Sequence, residues 1–116
     1  ELHKLTPYLG LLQDRGFKVA LVTDGRMSGA SGKVPAALHL HPEAQSGGLI
    51  SKIENGDLLS LDCHNGRLEL LVEDHILQAR PAAQQTQTVT YGMGRELFAN
   101  MRQQVTSAEL GASTCS

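Results

Sequence analysis

The apolar positions of the chain change period several times. Leu9, Leu11 and Leu12 fall between Pro7 and Gly16. That pattern predicts a helix over 7–16, with proline tolerated in its first turn and glycine at its stop. The run that follows, Phe17-Lys18-Val19-Ala20-Leu21-Val22-Thr23, is almost continuously apolar and ends at Asp24-Gly25. A strand buried on both faces reads this way. Residues 25–33, Gly-Arg-Met-Ser-Gly-Ala-Ser-Gly-Lys, hold too much glycine for a helix interior and predict a loop.

Past Pro35, residues 36–41 predict a strand closed by Pro42 and a Gly47-Gly48 turn. Residues 49–53 and 57–62 predict two short strands around Glu54-Asn55-Gly56-Asp57, where Asn-Gly signals a hairpin. A second Asn-Gly pair, Asn65-Gly66, precedes a further strand over 67–72. Short strands at such spacing suggest a small barrel or sandwich. Residues 81–88 are polar and aperiodic and predict a surface loop. From Arg95 onward Leu97, Phe98, Met101 and Val105 return to helical spacing. This helix either covers its own domain or docks on another one. Residues 106–116 read as a frayed tail.

Composition narrows the class. The 116 residues fit one domain, and 41% hydrophobic against 19% charged residues is a globular balance. Ten Lys and Arg against twelve Asp and Glu leave a net charge of -2. This excludes a basic nucleic-acid footprint and a polybasic membrane surface. No apolar run reaches transmembrane length. Cys63 and Cys115 stand far apart, which fits a reducing, cytoplasmic setting rather than a disulfide scaffold. Aromatic residues are only 3% with no Trp, so the core must be aliphatic. The opening Glu-Leu-His-Lys has neither an initiator Met nor a signal peptide's apolar stretch, and reads as the start of a piece of something longer.

Chemistry concentrates in the loop after the first strand. Clustered glycines let backbone N–H groups approach an anion. A P-loop ending at Gly32-Lys33 requires glycine at Met27 and Ser or Thr at Val34, and a dinucleotide fingerprint ending at Gly32 also requires glycine at Met27. Both motifs are excluded, so an anion-binding loop and a tight structural turn stay open. Ser28 and Ser31 are sterically accessible there. On the residues alone, a local hydrogen bond to backbone is the plainer role for either hydroxyl, and Arg26 breaks the Gly-x-Ser-x-Gly elbow around Ser28. His39 and His41 alternate, as two metal ligands on one strand face would, but no third ligand stands at suitable spacing. Cys63 reads as packing.

Residues 21–33, Leu-Val-Thr-Asp-Gly-Arg-Met-Ser-Gly-Ala-Ser-Gly-Lys, resemble the C-terminal domain of the dihydroxyacid dehydratase and phosphogluconate dehydratase family. His41-Pro42-Glu43-Ala44, Gly47-Gly48 and Asn55-Gly56-Asp57 continue the likeness in order. Met27, Lys33 and Gly92-Met93-Gly94-Arg95-Glu96-Leu97-Phe98 are similar to the 6-phosphogluconate dehydratase branch. The resemblance implies a mixed α/β fold, a swivelling β/β/α domain built as a small strand-rich barrel with flanking helices. It also implies that residues 1–116 are a single C-terminal domain of a longer dehydratase.

The activity so implied is dehydration of 6-phospho-D-gluconate to 2-dehydro-3-deoxy-6-phosphogluconate in the Entner–Doudoroff route. Ser28 matches the family's base, an alkoxide formed beside cations. Ser31, with the backbone around Gly29 and Ala30, matches the groups that receive the substrate carboxylate. Lys33 is a phosphate or carboxylate contact by charge and placement. Glu1 matches a magnesium-ligating glutamate. The family uses an iron–sulfur cluster, of the 4Fe–4S type in the first instance, together with magnesium. The cluster cysteines belong to an upstream domain, so the resemblance implies an inactive isolated domain, an upstream N-terminal domain as partner, and a homodimer. The competing readings are another sugar-acid or dihydroxyacid dehydratase of the family, and a non-catalytic ligand-binding module on the same barrel.

Overall fold

A computed structural model describes residues 2–29, 31–84 and 91–114 of the chain. Two compact units make it up, Glu1–Ala82 and Ala83–Ser116. The boundary falls in the polar stretch 81–88, which has no apolar stripe to pack.

The first unit opens with a 3-10 turn, Leu2–Lys4, and helix α1, Thr6–Asp14. Pro7 sits in the first turn of α1, where its missing N–H costs no hydrogen bond. Next come two short parallel strands, β1 (Leu21–Val22) and β2 (Ala36–Ala37), with Leu21 opposite Ala36 and Val22 opposite Ala37. The long apolar run 17–23 therefore pairs over only two residues, and it is not buried on both faces: Phe17 is 60% exposed and Leu21 and Val22 are half-buried. Burial on both faces needs a covering layer on each side of the sheet. Here Leu9 of α1, Leu21, Val34 and Ala36 line one narrow recess, and Val34, 9% exposed, is the buried apolar residue of that group.

The segment 49–53 is a correction to the sequence expectation. Leu49–Lys52 is a 3-10 turn and not a strand. The Ser51 hydroxyl donates to the Gly48 carbonyl at 2.7 Å, and the Ser51 N–H donates to the same oxygen at 3.0 Å. Such local bonding competes directly with strand pairing. Ser51 is 5% exposed, so these bonds also satisfy a buried hydroxyl. Just before it, the chain folds so tightly that a Cβ at Gly48 would lie 1.7 Å from the Pro42 carbonyl oxygen. Only glycine fits there.

The Glu54–Asp57 turn forms, closed by the Asp57 N–H on the Glu54 carbonyl at 3.1 Å, but it joins the 3-10 turn to a strand and makes no hairpin. The hairpin lies at the second Asn-Gly pair. Strands β3 (Leu59–Asp62) and β4 (Arg67–Leu70) pair antiparallel, with Leu59 opposite Leu70 and Leu61 opposite Leu68. Helix α2, Asp74–Ala79, follows and buries Leu77 to 4% exposure. At six residues it is too short to announce itself by periodicity.

In the second unit, the tail pattern forms two helices, α3 (Met93–Leu97) and α4 (Ala99–Gln104), broken at Phe98. Leu97, Phe98, Met101 and Val105 are all exposed. Thr106 and Ser113 close the following loop: the Thr106 N–H donates to the Ser113 carbonyl and the Ser113 N–H to Thr106 Oγ1, both at 2.9 Å.

The fold is mixed α and β. Its two sheets are two-stranded and separate, and no closed barrel is present among the described residues. The 3-10 turn at Leu49–Lys52, where a strand was expected, and the shortness of β1 and β2 leave too few paired strands for closure among the described residues.

Candidate active site

Parallel strands cannot be joined by a tight turn, so the chain between β1 and β2 must be a long crossover. In place of the usual helix, this crossover is the glycine-rich loop. Gly29 and Gly32 take φ of 75° and 74°. A Cβ at either would meet nothing within 4 Å. Backbone conformation, not space, therefore favours glycine at both positions.

This loop brings Ser28, Gly29, Ser31 and Lys33 to the wall of one cleft of about 520 Å³. Four of the six site residues expected from the sequence are thus assembled. Ala30 and Glu1 lie outside the described residues. Ser28 is exposed, and among the described residues no histidine, lysine or carboxylate hydrogen-bonds its hydroxyl, so its environment is not that of a hydrolase triad. Ser31 Oγ accepts from the Lys33 N–H at 3.4 Å, a long bond that leaves its own O–H available to donate.

Sequence reasoning missed what the N-terminal 3-10 turn and α1 contribute. His3, Gly10 and Asp14 line the same cleft. Lys33 Nζ meets Asp14 Oδ1 at 2.7 Å and Oδ2 at 2.8 Å, and Gln13 Nε2 donates to the Lys33 carbonyl at 2.9 Å. Thr6, which also lines the cleft, donates from Oγ1 to Met27 Sδ at 3.4 Å, tying α1 to the start of the loop. On its far side the loop is anchored by Asp24, whose Oδ2 accepts the Ala44 N–H at 2.7 Å. The spacing of Gly10, Gln13 and Asp14 on one helix face was the available signal, although it does not say which loop the face meets.

The carboxylates whose ionisation is shifted lie elsewhere. Hydrogen bonds from Arg80, then from the Glu54 N–H, hold the Asp57 carboxyl below its ordinary range. The Asn65 side chain first, then its backbone N–H, does the same for Asp62. Both groups brace turns and neither lines the cleft.

Among the described residues no three His, Cys, Asp or Glu side chains converge. Cys63 is exposed on the β3–β4 hairpin. His39 and His41 lie beyond the end of β2, so they do not share a strand face. The described residues therefore do not fit an iron–sulfur cluster or a magnesium ion by themselves. No helix among them is long and apolar enough to cross a membrane.

Similarity places this cleft in a family context. The dihydroxy-acid/6-phosphogluconate dehydratase C-terminal family matches residues 1–112. The phosphogluconate dehydratase of Pseudomonas aeruginosa is 61% identical over 112 residues, covering 97% of this chain and 18% of that protein. Its counterpart in Escherichia coli K12 is 53% identical over 116 residues, covering 99% of this chain and 19% of that protein. A dihydroxy-acid dehydratase of Pelobacter propionicus is 44% identical over 99 residues, 85% of this chain and 17% of that protein. The chain thus spans less than a fifth of the length of these relatives. With the match running through the cleft loop and on to residue 112, the chain belongs to the dihydroxy-acid/6-phosphogluconate dehydratase C-terminal family.

Proposed function

We propose that the chain is the base-bearing part of a phosphogluconate dehydratase, the hydro-lyase that converts 6-phospho-D-gluconate to 2-dehydro-3-deoxy-6-phosphogluconate and water. The carrying observation is the cleft itself, in which Ser28, Ser31 and Lys33 meet on the loop that bears the family resemblance. The 53–61% identity to proteins named phosphogluconate dehydratase, against 44% to one named dihydroxy-acid dehydratase, favours the sugar-acid phosphate as substrate.

In this reading Ser28 Oγ takes the C2 proton. The C2–H electron pair forms a C2–C3 double bond as the C3–O bond breaks, and the departing hydroxide leaves as water after receiving that proton. The resulting enol then tautomerises to the 2-keto acid. Ser31 and the backbone at Gly29 and Ala30 hold the substrate carboxylate, and Lys33 faces the phosphate. An ordinary serine is too weak a base for this step, so its site must favour the alkoxide electrostatically. The iron–sulfur cluster and magnesium that the family implies draw, in this proposal, on ligands outside the described residues, with Glu1 assigned to magnesium.

We further place the chain as the swivelling β/β/α domain of a cytoplasmic, homodimeric enzyme of the Entner–Doudoroff route, working against an upstream domain. Product formation by the complete enzyme from 6-phosphogluconate and from gluconate tests the substrate. Ser28→Ala tests the base: kcat falls by about 10²–10⁴-fold with cluster content and fold retained. A near-native kcat in that variant overturns the assignment.

A further inference from the structure

The dehydration scheme gives Lys33 the phosphate but leaves its ion-pair partner in the cleft, Asp14, without a role. Lys33 is held by α1 at three points. Gln13 Nε2 donates to its carbonyl at 2.9 Å. A Cβ at Gly10 would lie 3.9 Å from both Lys33 Cδ and Nζ, so the lysine stem crosses bare helix backbone. Its ammonium meets both oxygens of Asp14, at 2.7 and 2.8 Å. Gly10, Gln13 and Asp14 stand at i, i+3 and i+4 and so form one continuous face of α1.

An ammonium has three donors. Asp14 takes two and leaves one, on a side chain that is 50% exposed at the cleft wall. We propose that Asp14 is a positioning residue for Lys33, fixing its ammonium at the cleft wall so that its remaining N–H donates to a phosphoryl oxygen of the substrate. The inference rests on the function proposed above, in which Ser31 and Gly29 already serve the carboxylate and the phosphoryl group is left for Lys33. Without Asp14 the four-carbon stem regains its rotamers, and ordering it again weakens binding.

The test uses the complete dehydratase with Asp14→Asn, Lys33→Met and the double variant. Preference for 6-phosphogluconate over gluconate in kcat/KM drops about 3- to 5-fold in Asp14→Asn and about 10-fold or more in Lys33→Met. The double variant matches Lys33→Met, since Asp14 acts only through the lysine, and Asp14→Glu recovers part of the loss. Calorimetric titration of inorganic phosphate follows the same order. This second arm needs no turnover, so failure of the proposed reaction is distinguishable from failure of the positioning role. Equal losses on both substrates, additive effects in the double variant, or unweakened phosphate binding in Asp14→Asn each overturn the proposal.

Discussion

Arg80 and Asp57 face each other as a fork, with Nη1 2.6 Å from Oδ2 and Nη2 3.0 Å from Oδ1. The same Nη1 donates to the Lys52 carbonyl at 3.1 Å, and Asp57 Oδ2 also accepts the Glu54 N–H at 2.8 Å. One guanidinium, at the end of α2, thereby holds the 3-10 turn 49–52 and the 54–57 turn together. Lysine has no planar fork and cannot replace these contacts.

This pair makes stability depend on acid. The folded state holds Asp57 below its ordinary value of 3.8, chiefly through Arg80. Between the two values the unfolded chain binds more protons, so stability rises with pH there. The contribution is complete above 3.8 and disappears as pH falls through the lowered value. In Arg80→Met the urea midpoint is lower at neutral pH, and its further drop from about pH 5 to about pH 2.5 is smaller than in the parent protein. An equal acid-limb drop in both proteins overturns this account.

Gly48→Ala tests the tight passage beside Pro42. The added methyl would meet backbone atoms, a carbonyl oxygen at 1.7 Å and its carbon at 2.6 Å, and backbone has no rotamer by which to withdraw. The variant loses about 2 kcal/mol or more by denaturant titration, as strained overpacking does. Gly94→Ala, where a Cβ meets nothing within 4 Å and the residue lies inside α3, is neutral or mildly stabilising.

Asp62 closes the β3–β4 hairpin. Its Oδ1 accepts the N–H groups of His64 and Asn65 at 2.9 and 3.1 Å, and its Oδ2 accepts from Asn65 Nδ2 at 2.6 Å. Asp62→Ala removes all three acceptor contacts and speeds amide hydrogen exchange at His64 and Asn65 relative to the parent. Asp62→Asn keeps one side-chain oxygen to accept, so exchange there stays closer to the parent rate. Unchanged exchange in the alanine variant overturns the turn's dependence on this side chain.

These contacts mark where sequence reasoning stops. Helix α1 and the Gly-rich loop were legible because each rests on a local signal, helical spacing or glycine density, whereas turn chemistry pointed to a hairpin at Asn55-Gly56 and the strands instead pair around Asn65-Gly66. Residues 49–53 look like a strand by composition, but the Ser51 hydroxyl finds the Gly48 carbonyl first. The apolar run 17–23 was read at full length, whereas pairing with Ala36–Ala37 reaches only two of its residues. Ser28, Ser31 and Lys33, which line one cleft, were expected from the motif. Asp14 was not, because its ion pair joins positions 19 apart, and Arg80 reaches Asp57 across 23. Periodicity reports a face and never what the face meets.

In the proposed function, Ser31 separates binding from chemistry within the cleft. Its hydroxyl accepts only a long bond from the Lys33 N–H, at 3.4 Å, so the proton it carries is free to point at a substrate oxygen. A hydrogen bond to a carboxylate contributes about 1.5–3 kcal/mol. If Ser31 holds the carboxylate equally in ground and transition states, Ser31→Ala in the complete enzyme raises KM by about 10- to 100-fold and leaves kcat within a few-fold. Ser28→Ala shows the opposite split, with kcat lost and KM little moved, because a base acts on the reacting proton alone. Steady-state kinetics on both variants, with fold checked by circular dichroism, decides between the roles. A Ser31→Ala enzyme that loses kcat at unchanged KM exchanges the two assignments, making Ser31 the proton acceptor and Ser28 the carboxylate donor.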